Sequence, residues 1–148
     1  MTTPSGAPPA ASDRAMWDRV LALHARVERL LGRALQRRHG MGLSEYRALE
    51  ELSRAGDGEL RMQELADCVG LGQSSVTRLV GRLDAAGYAY KDLCPDDKRG
   101  VYAVITAEGR QRYEAARSTY AEVLSSALNT AGAEPELART VQSLRNSA

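Results

Sequence analysis

Two apolar-periodic segments separated by Val69-Gly70-Leu71-Gly72 constrain this chain more than any other stretch. The first, a short helix over about 62–68, carries Met62, Leu65 and Ala66, with Val69 just beyond; the second runs from Gln73 to Ala86 and carries Val76, Leu79, Val80 and Leu83. Gly87 stands where a helix-ending glycine belongs. Apolar side chains at spacings of three and four, facing each other across a four-residue glycine turn, describe a helix-turn-helix. The opposite side of the second helix shows Gln73, Ser74, Ser75, Thr77, Arg78 and Arg82. Short hydroxyl and amide groups near a helix N-terminus, with arginines further along, suit a DNA major groove, where Arg bonds guanine through two donors. A solvated polar face has the same composition, so the helix pair alone leaves both readings open.

The segment after the helix pair narrows the choice. Tyr88-Ala-Tyr-Lys-Asp-Leu93 and Val101-Tyr-Ala-Val-Ile105 read as two strands around Cys94-Pro-Asp-Asp-Lys-Arg-Gly100. A turn needs only Pro or Gly to reverse, and this one places Asp96, Asp97, Lys98 and Arg99 between both. A helix-turn-helix followed by a hairpin with a basic tip is a winged helix. Arg99 would enter a minor groove, where a guanidinium meets strongly negative potential. Asp97 would fix its direction and Lys98 would meet a phosphate. The competing reading is a solvated turn whose exposed ion pairs contribute almost nothing. Residues 61–99 hold six basic and six acidic side chains, so binding would rest on placement of charge, with modest, salt-sensitive affinity for non-specific DNA.

Long apolar-striped segments flank this core. Met16, Val20, Leu23, Val27, Leu30 and Ala34 mark a helix over about 13–39, with Ser12-Asp13 as its cap; Trp17, Leu21, Leu31 and Leu35 widen its apolar side. Ser44 is placed to cap a second helix with Tyr46, Leu49 and Leu52 as its stripe, and Glu59-Leu60-Arg61 reads as a strand with a single pairing. After Thr106 a helix over about 107–130 carries Tyr113, Ala116, Tyr120, Val123 and Ala127, with a break expected at Thr130-Ala-Gly132-Ala; Pro135 starts a last helix to about 146. The expected fold is mainly α with a small β-hairpin: a winged helix-turn-helix over about 43–106 within a single domain, 12–148, after a disordered tail, 1–11.

Composition excludes other classes. The 148 residues allow one domain, with 43% hydrophobic and 26% charged residues typical of a soluble protein. Lys plus Arg total 20 against 19 acids, so whole-chain charge gives no argument for nucleic acid. Two cysteines, without a CxxC or a nearby His, exclude a disulfide scaffold and a zinc finger. No apolar run approaches the ~18 residues that span a bilayer, and the N-terminus lacks a signal-peptide pattern. A cytoplasmic protein is expected. No nucleophile with a positioned base, metal ligand set or phosphate-binding glycine loop is present, so neither an enzyme nor a cofactor is implied.

With these features together the chain resembles the MarR family of winged-helix transcription regulators. The resemblance lies in Leu65-Ala66, Ser75-Val-Thr-Arg-Leu-Val-Gly-Arg-Leu83, Ala86-Gly-Tyr88, Pro95-Asp-Asp-Lys-Arg-Gly100 and Ile105-Thr-Ala-Glu-Gly109, over about residues 43–110. It implies recognition-helix contacts at Ser74, Ser75, Thr77 and Arg78, and a wing Asp-x-Arg pair at Asp97 and Arg99. It also implies a homodimer built by the first and last two helices, which would cover their wide apolar faces. Binding to a pseudo-palindromic operator in double-stranded DNA, usually as a repressor, goes with this, as does release by a small phenolic or lipophilic effector. Trp17, His24 and Tyr46, each with an apolar body and a polar tip, could line the effector pocket, although a place in the core suits Trp17 and Tyr46 better. Cys94 stands where many members have Asp, and a thiol-responsive regulator using Cys94 is one alternative. Nearby Asp92, Asp96 and Asp97 disfavour its thiolate. Cys68 reads as a small core residue. A winged-helix module that binds a protein partner instead of DNA is a second alternative.

Overall fold

Helix α1 (Pro9–His39) begins four residues before the expected start at 13. Proline is well placed in the first turn, where its missing N–H costs nothing, and Ala10-Ala11 are the best helix formers, so Ser12 and Asp13 lie inside the helix. The computed structural model describes residues 9–93 and 100–147. Residues 1–8 of the expected tail and the charged turn 94–99 lie outside the described residues, whereas 9–11 are helical.

After α1 follow α2 (Leu43–Arg54), β1 (Glu59–Arg61), α3 (Met62–Val69), α4 (Gln73–Ala85), β2 (Ala89–Leu93), β3 (Val101–Ile105), α5 (Ala107–Gly132) and α6 (Pro135–Asn146). Gly42, not Ser44, precedes α2, and its N–H donates to Glu45 Oε2 at 3.3 Å. A glycine can adopt the extended cap conformation, and the carboxylate three residues on satisfies one of the helix's free donors. Helix α5 runs past Thr130 to Gly132. Ala131 is fully buried with Leu23, Leu137 and Val141, and that burial outweighs the weak helix propensity of Thr130.

The chain divides into two compact units, one of residues up to Arg33 with Ala121 onward, the other Ala34–Tyr120. The first has its own small core of Leu23, Ala131, Leu137 and Val141, and an ion pair between Arg26 and Glu134 at 2.6 Å. The second holds the larger core, in which Leu49, Leu52, Leu65, Val76, Leu79 and Val80 are wholly buried. The hairpin β2–β3 pairs from Ala89↔Ile105 to Leu93↔Val101. Strand β1 adds Glu59↔Val104, Leu60↔Ala103 and Arg61↔Tyr102, giving the antiparallel order β1-β3-β2. All three residues of β1 pair, where the sequence suggests one pairing. Ala103 and Ile105 point to the core and alternate with half-buried Tyr102 and Val104, as a sheet with one wet face requires.

Thr106 joins the sheet to α5. Its hydroxyl donates to Gly87 O at 2.7 Å and accepts the Gly109 N–H at 3.0 Å, while its N–H donates to Tyr88 O at 3.0 Å. The hairpin is thereby tied at its base to both α4 and α5.

With no Phe in the chain, tyrosines supply the aromatic part of this core. Tyr46 stacks on Tyr120 with centroids 4.6 Å apart and lies 5.5 Å from Tyr113. The hydroxyls of Tyr46 and Tyr113 lie 3.4 and 3.5 Å from Glu50 Oε2. Burial first, and the Glu50 carboxylate second, push both phenols above their ordinary pKa of 10.0. A raised folded-state pKa gives stability that is complete below the unfolded value and is lost as pH rises above it. The urea midpoint should therefore hold steady to about pH 9 and fall from about pH 10 upward, with a shallower fall in Tyr46→Phe. An equally steep fall in that variant would remove Tyr46 as a cause.

Candidate nucleic-acid interface

Gly70 supplies the turn between α3 and α4 because it adopts φ 70°, which side-chain-bearing residues rarely do. The Leu71 N–H then closes on Ala66 O at 3.0 Å. Val76, Leu79, Val80 and Leu83 fill the seam beneath α4, so the rest of its surface must face outward. Gln73, Ser74, Thr77, Arg78 and Arg82 are exposed and Ser75 is half-buried. The Thr77 hydroxyl donates to Gln73 O at 2.9 Å and keeps its lone pairs free. Gly72 precedes the helix and has no side chain with which to cap it.

The two arginines of α4 differ. Arg82 Nε lies 3.5 Å from Glu45 Oε1 on α2. Arg78, one turn earlier, has no hydrogen-bond or ion-pair partner among the described residues. Beside the start of α4 opens a cleft of about 460 Å³ lined by Arg61, Met62, Gln63, Gln73, Thr77, Lys91, Gly100 and Val101. One wall is the first turns of α3 and α4, the other the open end of the β2–β3 hairpin. Arg61 and Lys91 make this cleft basic, the charge that phosphate contacts call for.

A model of the MarR family matches residues 39–100. The chain carries a MarR-family winged helix-turn-helix. HTH-type transcriptional regulator MhqR of Bacillus subtilis (strain 168) is 32% identical over 72 residues, 49% of this chain and 48% of that protein, so the chain spans about half the length of this curated relative. Sco3205, a MarR family transcriptional regulator from Streptomyces coelicolor solved in complex with DNA, is 26% identical, with TM-score 0.76 over 97% of this chain and 89% of its own. AbsC, another MarR family regulator from that organism, shares the fold at 21% identity, with TM-score 0.74 over 91% of this chain and 90% of its own. All three are transcriptional regulators.

Within this MarR-type segment the sequence pattern does not single out Arg61, Gln63 or Lys91. Arg61 ends β1, and its guanidinium lies 5.5 Å from the centroid of the Tyr102 ring. Its position beside the hairpin depends on β1 pairing with β3, which nothing local announces. Lys91 does leave a signal: it lies two residues after buried Ala89, and so on the same face of β2. Asp97, Lys98 and Arg99, with Cys94, fall outside the described residues.

The remaining candidates separate. Cys68 is exposed and does not join the core. The buried residues of α3 are Met62, Leu65 and Ala66, a stripe that position 68 misses. Partial desolvation, then Glu51 and Asp67 beside it, push its thiol pKa up, so it is no poised thiolate. Tyr46 is 1% exposed and belongs to the tyrosine core, because stacking on Tyr120 gives its ring more contact than a pocket wall would. Trp17 and His24 belong to the other unit. Trp17 is 56% exposed, and His24 is an outward residue 3.6 Å from Glu28.

Proposed function

We propose that this chain is a sequence-specific transcriptional regulator, a cytoplasmic repressor that binds a pseudo-palindromic operator in double-stranded DNA as a homodimer. The observation that carries the reading is the outward face of α4. Ser74, Thr77 and Arg78, which has no partner among the described residues, stand beside a cleft holding Arg61 and Lys91. In this reading α4 enters the major groove with Gln73, Ser74, Ser75, Thr77 and Arg78 toward base edges and phosphates. The hairpin turn reaches the adjacent minor groove with Arg99, oriented by Asp97, and Lys98 meets a phosphate. The strand between the grooves passes the cleft, where Arg61 and Lys91 neutralise its phosphates. The DNA-bound state of Sco3205, alike over nearly the whole chain, supports this reading.

The dimer is supported by Met16, Trp17 and Leu21 on α1 and Leu144 on α6, large apolar side chains that remain about half exposed. Such a patch calls for a covering surface. The same proposal includes release by a small phenolic or lipophilic effector, for which exposed Trp17 and His24 offer apolar bodies with polar tips. No helix among the described residues is long and apolar enough to cross a membrane.

Fluorescence anisotropy against DNA from upstream of the protein's own gene, beside scrambled DNA at two salt concentrations, tests the reading. Tight binding to the native fragment alone, with two protomers per site, is expected. Failure to bind any fragment in a genome-wide selection would sink it in favour of a protein-binding module.

A further inference from the structure

The sequence pattern assigns Arg82 to the DNA-reading face together with Arg78. The structure gives the two arginines different surroundings. Arg82 lies nine residues after Gln73, about 14 Å further along α4, whereas base contacts of a recognition helix come from its N-terminal residues. Its Nε sits 3.5 Å from Glu45 Oε1. Glu45 uses its other oxygen, Oε2, to accept the Gly42 N–H at 3.3 Å, which fixes the carboxylate at the start of α2. The start of a helix is also where a negative charge is most favoured. The Glu45 side chain is only 27% exposed, while Arg82 reaches it from a helix whose other side is locked in the core. A carboxylate fixed in this way is a poor partner to give up for a phosphate and a good anchor for α4.

We propose that Arg82 is a positioning residue rather than a DNA contact: paired with Glu45, it sets the angle of α4 on α2, and so aims Ser74, Thr77 and Arg78. The inference rests on the DNA-binding reading. It also makes an opposite prediction in sign from direct contact. Were Arg82 to bind a phosphate, Glu45 would compete with DNA for it, and removing the Glu45 charge would tighten binding. As an anchor, Glu45 supports binding despite its negative charge.

The test is operator affinity of the full-length wild type, Glu45→Gln, Arg82→Gln and the double variant, over a range of salt concentrations and well below each melting temperature. Gln at 45 keeps an oxygen for Gly42 N–H, so α2 retains its cap. Both single variants are expected to weaken binding by roughly two- to fivefold, the double no more than either, with an unchanged salt dependence. A pair that only stabilised the fold would lower the melting temperature and leave affinity of the folded protein alone. The inference is overturned if Glu45→Gln tightens binding or leaves it unchanged, or if Arg82→Gln lowers the salt slope by about one phosphate's share. A wild type that binds no DNA overturns the regulator reading and this inference with it; a binding wild type with either of those results overturns this inference alone.

Discussion

Replacement of Gly109 by Ala should destabilise the fold by about 3 kcal/mol, although the position is helical and Ala is the better helix former by about 1 kcal/mol. The reason is the approach of α5 to the sheet. A Cβ at Gly109 would lie 2.1 Å from Tyr88 O and 2.9 Å from Ile105 Cγ1. The first of these is a backbone atom that already accepts the Thr106 N–H at 3.0 Å. Gly87, just before it, holds φ 84° and is bound through its own carbonyl to the Thr106 hydroxyl at 2.7 Å. Strand β2 cannot withdraw without breaking these bonds, so the methyl group must push α5 away from the hairpin base. Thermal unfolding should start about 10 °C lower. Gly81→Ala is the control, since nothing lies within 4 Å of a Cβ there. That variant should melt at or slightly above the wild-type temperature. A Gly109→Ala protein as stable as wild type would mean that α5 does not press on Tyr88.

Arg78→Ala should leave stability within about 0.5 kcal/mol and cost about 1–3 kcal/mol of operator binding, roughly ten- to a hundredfold. The side chain is exposed and has no partner among the described residues, so its removal orphans nothing in the fold. Its place on the second turn of α4 puts it within reach of a base edge, where a guanidinium makes two bonds to guanine. Competition against operators changed one base pair at a time would then show relaxed discrimination at a single position in each half-site. Equal weakening on every sequence with a smaller salt slope would identify a phosphate contact instead. Unchanged binding would remove Arg78 from the interface.

Legibility tracks the range of the forces involved. The seam of α4 appears as Val76, Leu79, Val80 and Leu83 because burying one side of a helix imposes a period that the chain must spell out locally. Gly70 and Gly87 are visible as stops because their positive φ angles exclude most other residues. Sequence sets the start of α1 too late because Ser12-Asp13 has the chemistry of a cap, while the proline and alanines before it have the composition of a tail. It places Cys68 in the core because free cysteine is usually buried, and one residue's position relative to a three-residue stripe is a weak signal.

The sequence by itself determined the elements and their order. It also determined which side of α4 and of α5 turns inward, since periodicity and turn chemistry act between residues a few positions apart. Only the tertiary structure decided which side chains answer one another across elements. It paired β1 with β3 and so brought Arg61 beside the hairpin, gave Arg82 to Glu45 while leaving Arg78 exposed, and pressed Gly109 onto Tyr88. These are contacts between residues 21 to 45 positions apart or between strands at opposite ends of the segment, and no local pattern encodes them. They arise because a shared core fixes where every outward-facing group must stand.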